Sequence, residues 1–181
     1  MSVIDSHCHL DAAQFDEDRE AVIQRAIDAG VSKFLCIGTG DGPPDLESAI
    51  RLADSHSCVF ATAGIHPEHA PNATDADFKR LAELLRHPKC VGAGEIGLDY
   101  HWQPYNAEIQ AAVFVAQLHI AGEAGKPVII HTRDAWADTM SLLMQHWQPT
   151  GLPCIMHCFT GSPEEAHEAL GSGFFLSFSG V

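Results

Sequence analysis

Short apolar runs alternate with longer amphipathic segments along the chain. The runs are rich in β-branched residues, and glycine, histidine or polar residues follow them, which predicts strands at residues 3–4, 33–37, 59–63, 90–94, 127–130, 154–156 and 174–178. Patterns with a period near 3.6, several closed by glycine or proline, predict helices at residues 16–29, 44–55, 75–87, 106–124, 134–147 and 163–170. The alternation indicates βαβ units and a parallel sheet.

A doubly wound open sheet and a closed barrel share this alternation. A dinucleotide-binding sheet would carry a GxGxxG signature directly after its first strand, and no such signature follows the first predicted strand here. Residue types that bind metals follow strands one, three, four, five and six, and barrel enzymes assemble their sites at those strand ends. We therefore predict an α/β fold, a TIM-type (β/α) barrel with seven strands present, forming a single domain over residues 1–181.

Composition and charge narrow the possible functions. Hydrophobic residues make up 46% of the chain, and 24 acidic residues against 10 basic ones give a net charge of −14. Such a field repels polyanions, which counts against a simple nucleic-acid-binding module but not against an enzyme that holds phosphates through divalent cations. Without a membrane-length apolar run or a signal-like N-terminus, we expect a cytoplasmic protein with reduced core cysteines, and a monomer is the default expectation.

The candidate chemistry begins with the pair His7 and His9. On a strand, positions i and i+2 face the same side, so the two imidazoles can grip one metal ion. Glu95 follows an apolar run, where a carboxylate is costly unless it is paired, protonated or metal-bound. His131 and His157 each end an apolar strand. Taken singly, His7 and His9 could be a pair of surface histidines, and His131 and His157 each favour a satisfied core or rim histidine. Together, their positions at strand ends indicate convergence on one site.

Two further residues are candidates for binding substrate. Arg133 shares a strand face with His131 and suits an anionic group, while His66 ends the third strand and could orient a phosphate or transfer a proton. Imidazoles with one carboxylate suit Zn²⁺, Mn²⁺ or Mg²⁺. Two such ions bridged by Glu95, the predicted catalytic residue, would activate a hydroxide for hydrolysis of a phosphodiester or acyl bond.

Five motifs in order resemble the TatD family of metal-dependent deoxyribonucleases. They are DSHCHL at 5–10, GIHP at 64–67, GEIGLDY at 94–100, KPVIIHTR at 126–133 and HCFTG at 157–161. The resemblance implies one ion on His7 and His9, a second on His131 and His157, and Glu95 bridging them. It also implies cleavage of DNA, often 3′ to 5′ on single strands, with Arg133 and His66 near the scissile phosphate.

The resemblance fails at the C-terminal end. The family continues past the seventh strand with a further helix and an eighth strand that carries another metal-binding Asp, whereas this chain stops at Val181. We therefore expect an incomplete chain with an open sheet edge beside strands one and seven.

Two alternatives to the nuclease remain at this point. The same metal chemistry attacks carbonyls, which would give an ester or amide hydrolase such as a D-aminoacyl-tRNA deacylase. A truncated, catalytically silent metal-binding remnant is the non-enzymatic alternative.

Overall fold

The computed structural model describes residues 2–38, 42–43 and 45–180, and these form one parallel sheet flanked by helices. The seven strands lie side by side in chain order, each parallel to the next. Their bounds are β1 Val3–Cys8, β2 Val31–Cys36, β3 Val59–Ala63, β4 Cys90–Asp99, β5 Val128–Arg133, β6 Cys154–Met156 and β7 Phe175–Leu176.

Six α-helices connect the strands in the predicted order. They are α1 Arg19–Asp28, α2 Ser48–Ser55, α3 Asp75–Leu84, α4 Ala107–Ala124, α5 Trp136–His146 and α6 Pro163–Gly171, with short 3₁₀ turns at Ala13–Phe15, Pro67–Asn72 and Gln148–Thr150. The predicted second helix starts too early, because α2 begins at Ser48; its predicted first residue, Pro44, lies outside the described residues. None of the helices in the described part of the chain has the length and apolar character that crossing a membrane requires.

Local sequence signals explain where several helices start and stop. Reciprocal side-chain caps open α3, between Thr74 and Asp77, and α6, between Ser162 and Glu165. Gly125 ends α4 with a left-handed φ of 65°, a conformation that glycine adopts without steric cost. These caps satisfy backbone groups that the helix itself leaves unpaired.

The sheet curls into a partial barrel, with the candidate site at the carboxyl ends of its strands. The ring of His7, on β1, stacks on the ring of His157, directly after β6, with centroids 3.7 Å apart. These strands are separated by four others in the sheet, so only strong curvature brings their ends together. Within the described ranges β1 pairs only with β2 and β7 only with β6, and Ile4 and Phe175 on these edges are 60% and 59% exposed.

The predicted bounds of β4 were wrong. The strand does not end at Gly94; it continues to Asp99 and pairs with β5 through Gly97 opposite His131 and Asp99 opposite Arg133. Apolar Ile96 and Leu98 within the extension are fully buried, which favours continued pairing. Glu95 therefore lies inside a strand rather than after one, and Asp99 takes the position at the strand end.

Candidate metal centre

Glu95 is the centre of a cluster of five imidazoles. Its side chain is only 6% exposed, and its Oε1 lies 2.7 Å from Nε2 of His7, 3.4 Å from Nε2 of His157 and 3.6 Å from Nε2 of His9. The other oxygen, Oε2, lies 3.8 Å from Nδ1 of His131 and 3.8 Å from Nε2 of His66. Each carboxylate oxygen thus faces its own set of nitrogen donors.

Several of these buried polar atoms have no hydrogen-bond partner among the described residues. They are Nε2 of His7, Oε1 of Glu95 and Nδ1 of His157. Nε2 of His7 and Oε1 of Glu95 lie 2.7 Å apart, yet neither atom has a hydrogen-bond partner in the described part of the chain that meets the geometric requirements. Buried polar atoms without partners are costly, and a cation between them would remove that cost. The donor set therefore fits a divalent metal ion.

The electrostatics of the cluster also suit a cation. Burial works to raise the pKa of Glu95, but His7, His157 and His9 outweigh burial and lower it to about 2. Burial lowers the pKa of His157 to about 4, and burial together with His131 lowers that of His66 to about 4. At neutral pH Glu95 is therefore ionised while His66 and His157 are neutral, and these are the protonation states that bind metals.

Donor atoms fall into two groups that share Glu95. The first contains His7, Glu95 and His157, and the second contains His66, Glu95 and His131, with the donor atoms of each group within 4.8 Å of one another. The sequence-based expectation paired His131 with His157 and gave His66 a role in substrate binding. Here His157 lies beside His7, and His66 lies beside His131 with ring centroids 4.4 Å apart.

Neighbouring groups fix the orientation of two imidazoles. Nε2 of His131 lies 2.9 Å from Oδ2 of Asp99, which favours a proton on Nε2 that is donated to Asp99. The lone pair on Nδ1 of His131 then points toward Glu95. Nδ1 of His9 lies 3.1 Å from the carbonyl oxygen of Ile37, which likewise favours a proton on Nδ1 and leaves Nε2 as the donor atom for a metal. Such partners set the tautomer and ring orientation of metal-binding histidines.

Glycine at position 97 permits the close approach of β4 to β5. Gly97 has φ +147°, and a Cβ there would come within 2.9 Å of the carbonyl carbon of His131. A side chain at this position would therefore push against the backbone that carries His131.

Sequence reasoning missed three buried polar residues around the site. Asp99 closes an apolar run, the same signal that identified Glu95, but it received no role. Gln110 donates to the carbonyl of Asp99 and accepts from its N–H, and Gln117 does the same for Ile65, the residue before His66. Both glutamines are buried on the apolar helix α4. Two amides seven positions apart lie on one face of a helix, and this spacing within an apolar segment could have identified them as buried hydrogen-bonding residues.

Arg133 lies at the rim of the cluster. The side chain is exposed, its guanidinium carbon is 5.4 Å from the centre of the Trp102 ring, and it forms no ion pair with any described residue. Both Arg133 and His157 line an open cavity of about 610 Å³. The arrangement leaves a cation available beside the histidine cluster for an anionic ligand.

The fold and the site define a class. A parallel, curled sheet that collects imidazoles and a buried carboxylate at its carboxyl ends is the architecture of a metal-dependent hydrolase of the TIM-barrel type. Comparison with known proteins agrees: the family described as TatD related DNase matches residues 4–181, and the chain belongs to it. It is thereby a hydrolase acting on ester bonds.

Individual relatives share this family. The chain is 39% identical over 178 residues to the uncharacterized metal-dependent hydrolase YabD of Bacillus subtilis, covering 98% of the chain and 69% of the relative. It is 35% identical over 178 residues to the 3'-5' ssDNA/RNA exonuclease TatD of Escherichia coli, covering 98% and 67%. The crystal structure of YJJV, a TatD homolog from Escherichia coli, superposes with a TM-score of 0.87 at 30% identity, covering 96% and 66%.

Proposed function

We propose that this chain belongs to a deoxyribonuclease that removes nucleotides from the 3′ end of single-stranded DNA with the help of two divalent ions. The observation that carries the proposal is the position of Glu95, whose two buried oxygens each face a separate group of imidazoles. A carboxylate in that position is suited to bridge two ions. The substrate is supported by the relatives named as exonucleases, of which one is 35% identical to this chain.

His7, His9, Glu95, His131 and His157 would hold the ions, which we expect to be Mg²⁺, Mn²⁺ or Zn²⁺ because the donors are nitrogen and oxygen atoms. When bound, such ions supply Lewis-acid activation of water and stabilise charge on the reacting phosphate. Glu95 contributes the one negative charge at the centre of the cluster, which its low pKa keeps ionised. Asp99 accepts a hydrogen bond from Nε2 of His131 at 2.9 Å, which leaves Nδ1 of His131 unprotonated and able to bind an ion.

Substrate positioning falls to Arg133 and His66. Arg133 can donate two hydrogen bonds to one phosphate from its planar guanidinium. His66, whose pKa is about 4, is neutral at physiological pH and can donate a hydrogen bond without adding charge beside the ions. Both residues lie around the same cluster, which supports a single reacting phosphate between them.

The decisive experiment uses 5′-labelled single-stranded DNA with added Mg²⁺, Mn²⁺ or Zn²⁺. We expect progressive shortening from the 3′ end, loss of activity with a chelator, and no turnover in Glu95→Ala or His131→Ala. Circular dichroism should stay nearly unchanged in both variants, because these residues supply ligands more than core packing. The exposed His119, on α4, provides the control: His119→Ala should cleave as the wild type does.

Other outcomes select the alternatives. Hydrolysis of an ester, a cyclic amide or a D-aminoacyl-tRNA with intact DNA would replace the nuclease by an acyl hydrolase on the same site. About one bound ion per chain with no turnover of any substrate would leave a silent remnant. Loss of the fold in Glu95→Ala would assign the cluster a structural role.

A further inference from the structure

An aromatic-lined cavity adjoins the histidine cluster, and its aromatic wall has no role in the chemistry described above. It encloses about 610 Å³, and His157, Arg133, Trp136 and Phe159 are among its lining residues. We propose that this cavity receives one unpaired base of the substrate strand and stacks it against Trp136 and Phe159. The inference rests on the proposed function, because the strand must reach the cluster for a neighbouring base to enter here.

The aromatic wall is held in place by specific contacts. The rings of Trp136 and Phe159 meet edge to face, with centroids 5.7 Å apart and planes at 73°. The indole N–H of Trp136 donates to Oε2 of Glu168 at 2.8 Å, which fixes the ring on α5 against α6. Gly161 packs so closely that a Cβ there would lie 2.8 Å from Cζ of Phe159. A rigid aromatic surface binds a flat base with little loss of side-chain entropy.

The dimensions leave room for a base. Cavities that hold small molecules enclose about 300–1,000 Å³, and this one lies within that range. A base in a duplex would have to leave its stack and its pairing partner to reach the aromatic wall, so the site favours bases that are already unstacked and unpaired. Selection for single strands then follows from shape rather than from sequence.

The cavity is lined by more acidic than basic side chains, so we expect base stacking to supply most of the affinity for a strand there. The chain carries a net charge of −14, and Asp134 and Glu165 also line the cavity. Among its described lining residues only Arg133 bears a permanent positive charge. A strand bound here gains little from phosphate contacts, whereas a stacked base needs no basic groove.

The test measures binding of a fluorescent single-stranded DNA whose 3′-terminal linkages are phosphorothioates, which slow cleavage, in the presence of Mg²⁺. A matched set of strands replaces one nucleotide at a time near the 3′ end by an abasic nucleotide. We expect one abasic position to weaken binding about 5- to 150-fold, the range for loss of one stacked base, and the others to have little effect. Phe159→Leu, and separately Trp136→Leu, should weaken binding of the intact strand and remove its advantage over that abasic strand.

Phe175→Leu is the matched control, because Phe175 is exposed on β7 and does not line the cavity. It should bind as the wild type does. Salt gives an independent readout: the slope of log affinity against log salt should be near −0.7, the value for about one phosphate contact to a single strand.

The site is refuted if no abasic position matters, if both leucine variants bind both strands as the wild type does, or if the strand does not bind at all. The outcome is separable from that of the proposed function. Base-dependent binding without cleavage of any DNA would retain the cavity as a base site and reject the nuclease. Cleavage with equal affinity for intact and abasic strands would retain the nuclease and reject the base site.

Discussion

The buried imidazoles His66 and His157 should make the stability of the chelator-treated protein depend on pH between 7 and 5. Their side chains are 15% and 14% exposed, and burial is the main cause that lowers the pKa of each from 6.5 to about 4. Between these pH values these two histidines bind more protons in the unfolded chain than in the folded one. Stability is therefore greatest above pH 6.5 and is lost as the pH falls toward 4.

The size of the loss follows from the two pKa values. For one histidine with pKa 6.5 unfolded and about 4 folded, acidification from pH 7 to pH 5 costs about 1.8 kcal/mol. The two together give about 3 to 4 kcal/mol, a large share of the roughly 5–15 kcal/mol that stabilises a typical domain. Glu95, with a pKa of about 2, contributes mainly below this range.

Urea denaturation in EDTA, followed by circular dichroism at pH 7 and pH 5, measures this difference. His157→Asn should remove about half of the pH-dependent loss, because an amide does not titrate, while the exposed-site variant His119→Asn should retain all of it. Stability that is equal at both pH values, or greater at pH 5, would refute the reasoning, as would an unchanged loss in His157→Asn.

Three substitutions test the surroundings of the cluster. Asp99→Asn should weaken binding of a divalent ion about 10- to 100-fold by calorimetry with the fold intact, because His131 loses its ionic partner; unchanged affinity would deny Asp99 that role. Gly97→Ala should lower the unfolding free energy by more than about 1 kcal/mol and also weaken ion binding, since its Cβ meets the backbone of His131; wild-type thermal melts would contradict this. Gln117→Leu leaves both backbone groups of Ile65 unpaired and should cost about 1–3 kcal/mol, seen as a lower melting temperature in the same assay.

Much of the fold was readable from local pattern. Seven strands and six helices were predicted in the right order, because hydrophobic periodicity and helix caps are local signals. The prediction for β4 was wrong because pairing across the sheet decides its bounds, and β5 holds Gly97 and Asp99 in the strand. Glycine and aspartate are poor strand formers by themselves, so the local sequence predicts that β4 ends early. Pairing with β5 extends the strand instead.

The sequence by itself determined the alternation of strands and helices, the family and the identity of the residues that converge. It could do so because parallel strands carry their polar ends to one side of a sheet whatever their exact curvature. Only the tertiary structure decided which imidazole faces which oxygen of Glu95, that Asp99 orients His131, and that an aromatic cavity adjoins His157. These relations depend on sheet curl, side-chain rotamers and contacts between residues far apart in the chain, and such distances are set by packing rather than by local sequence.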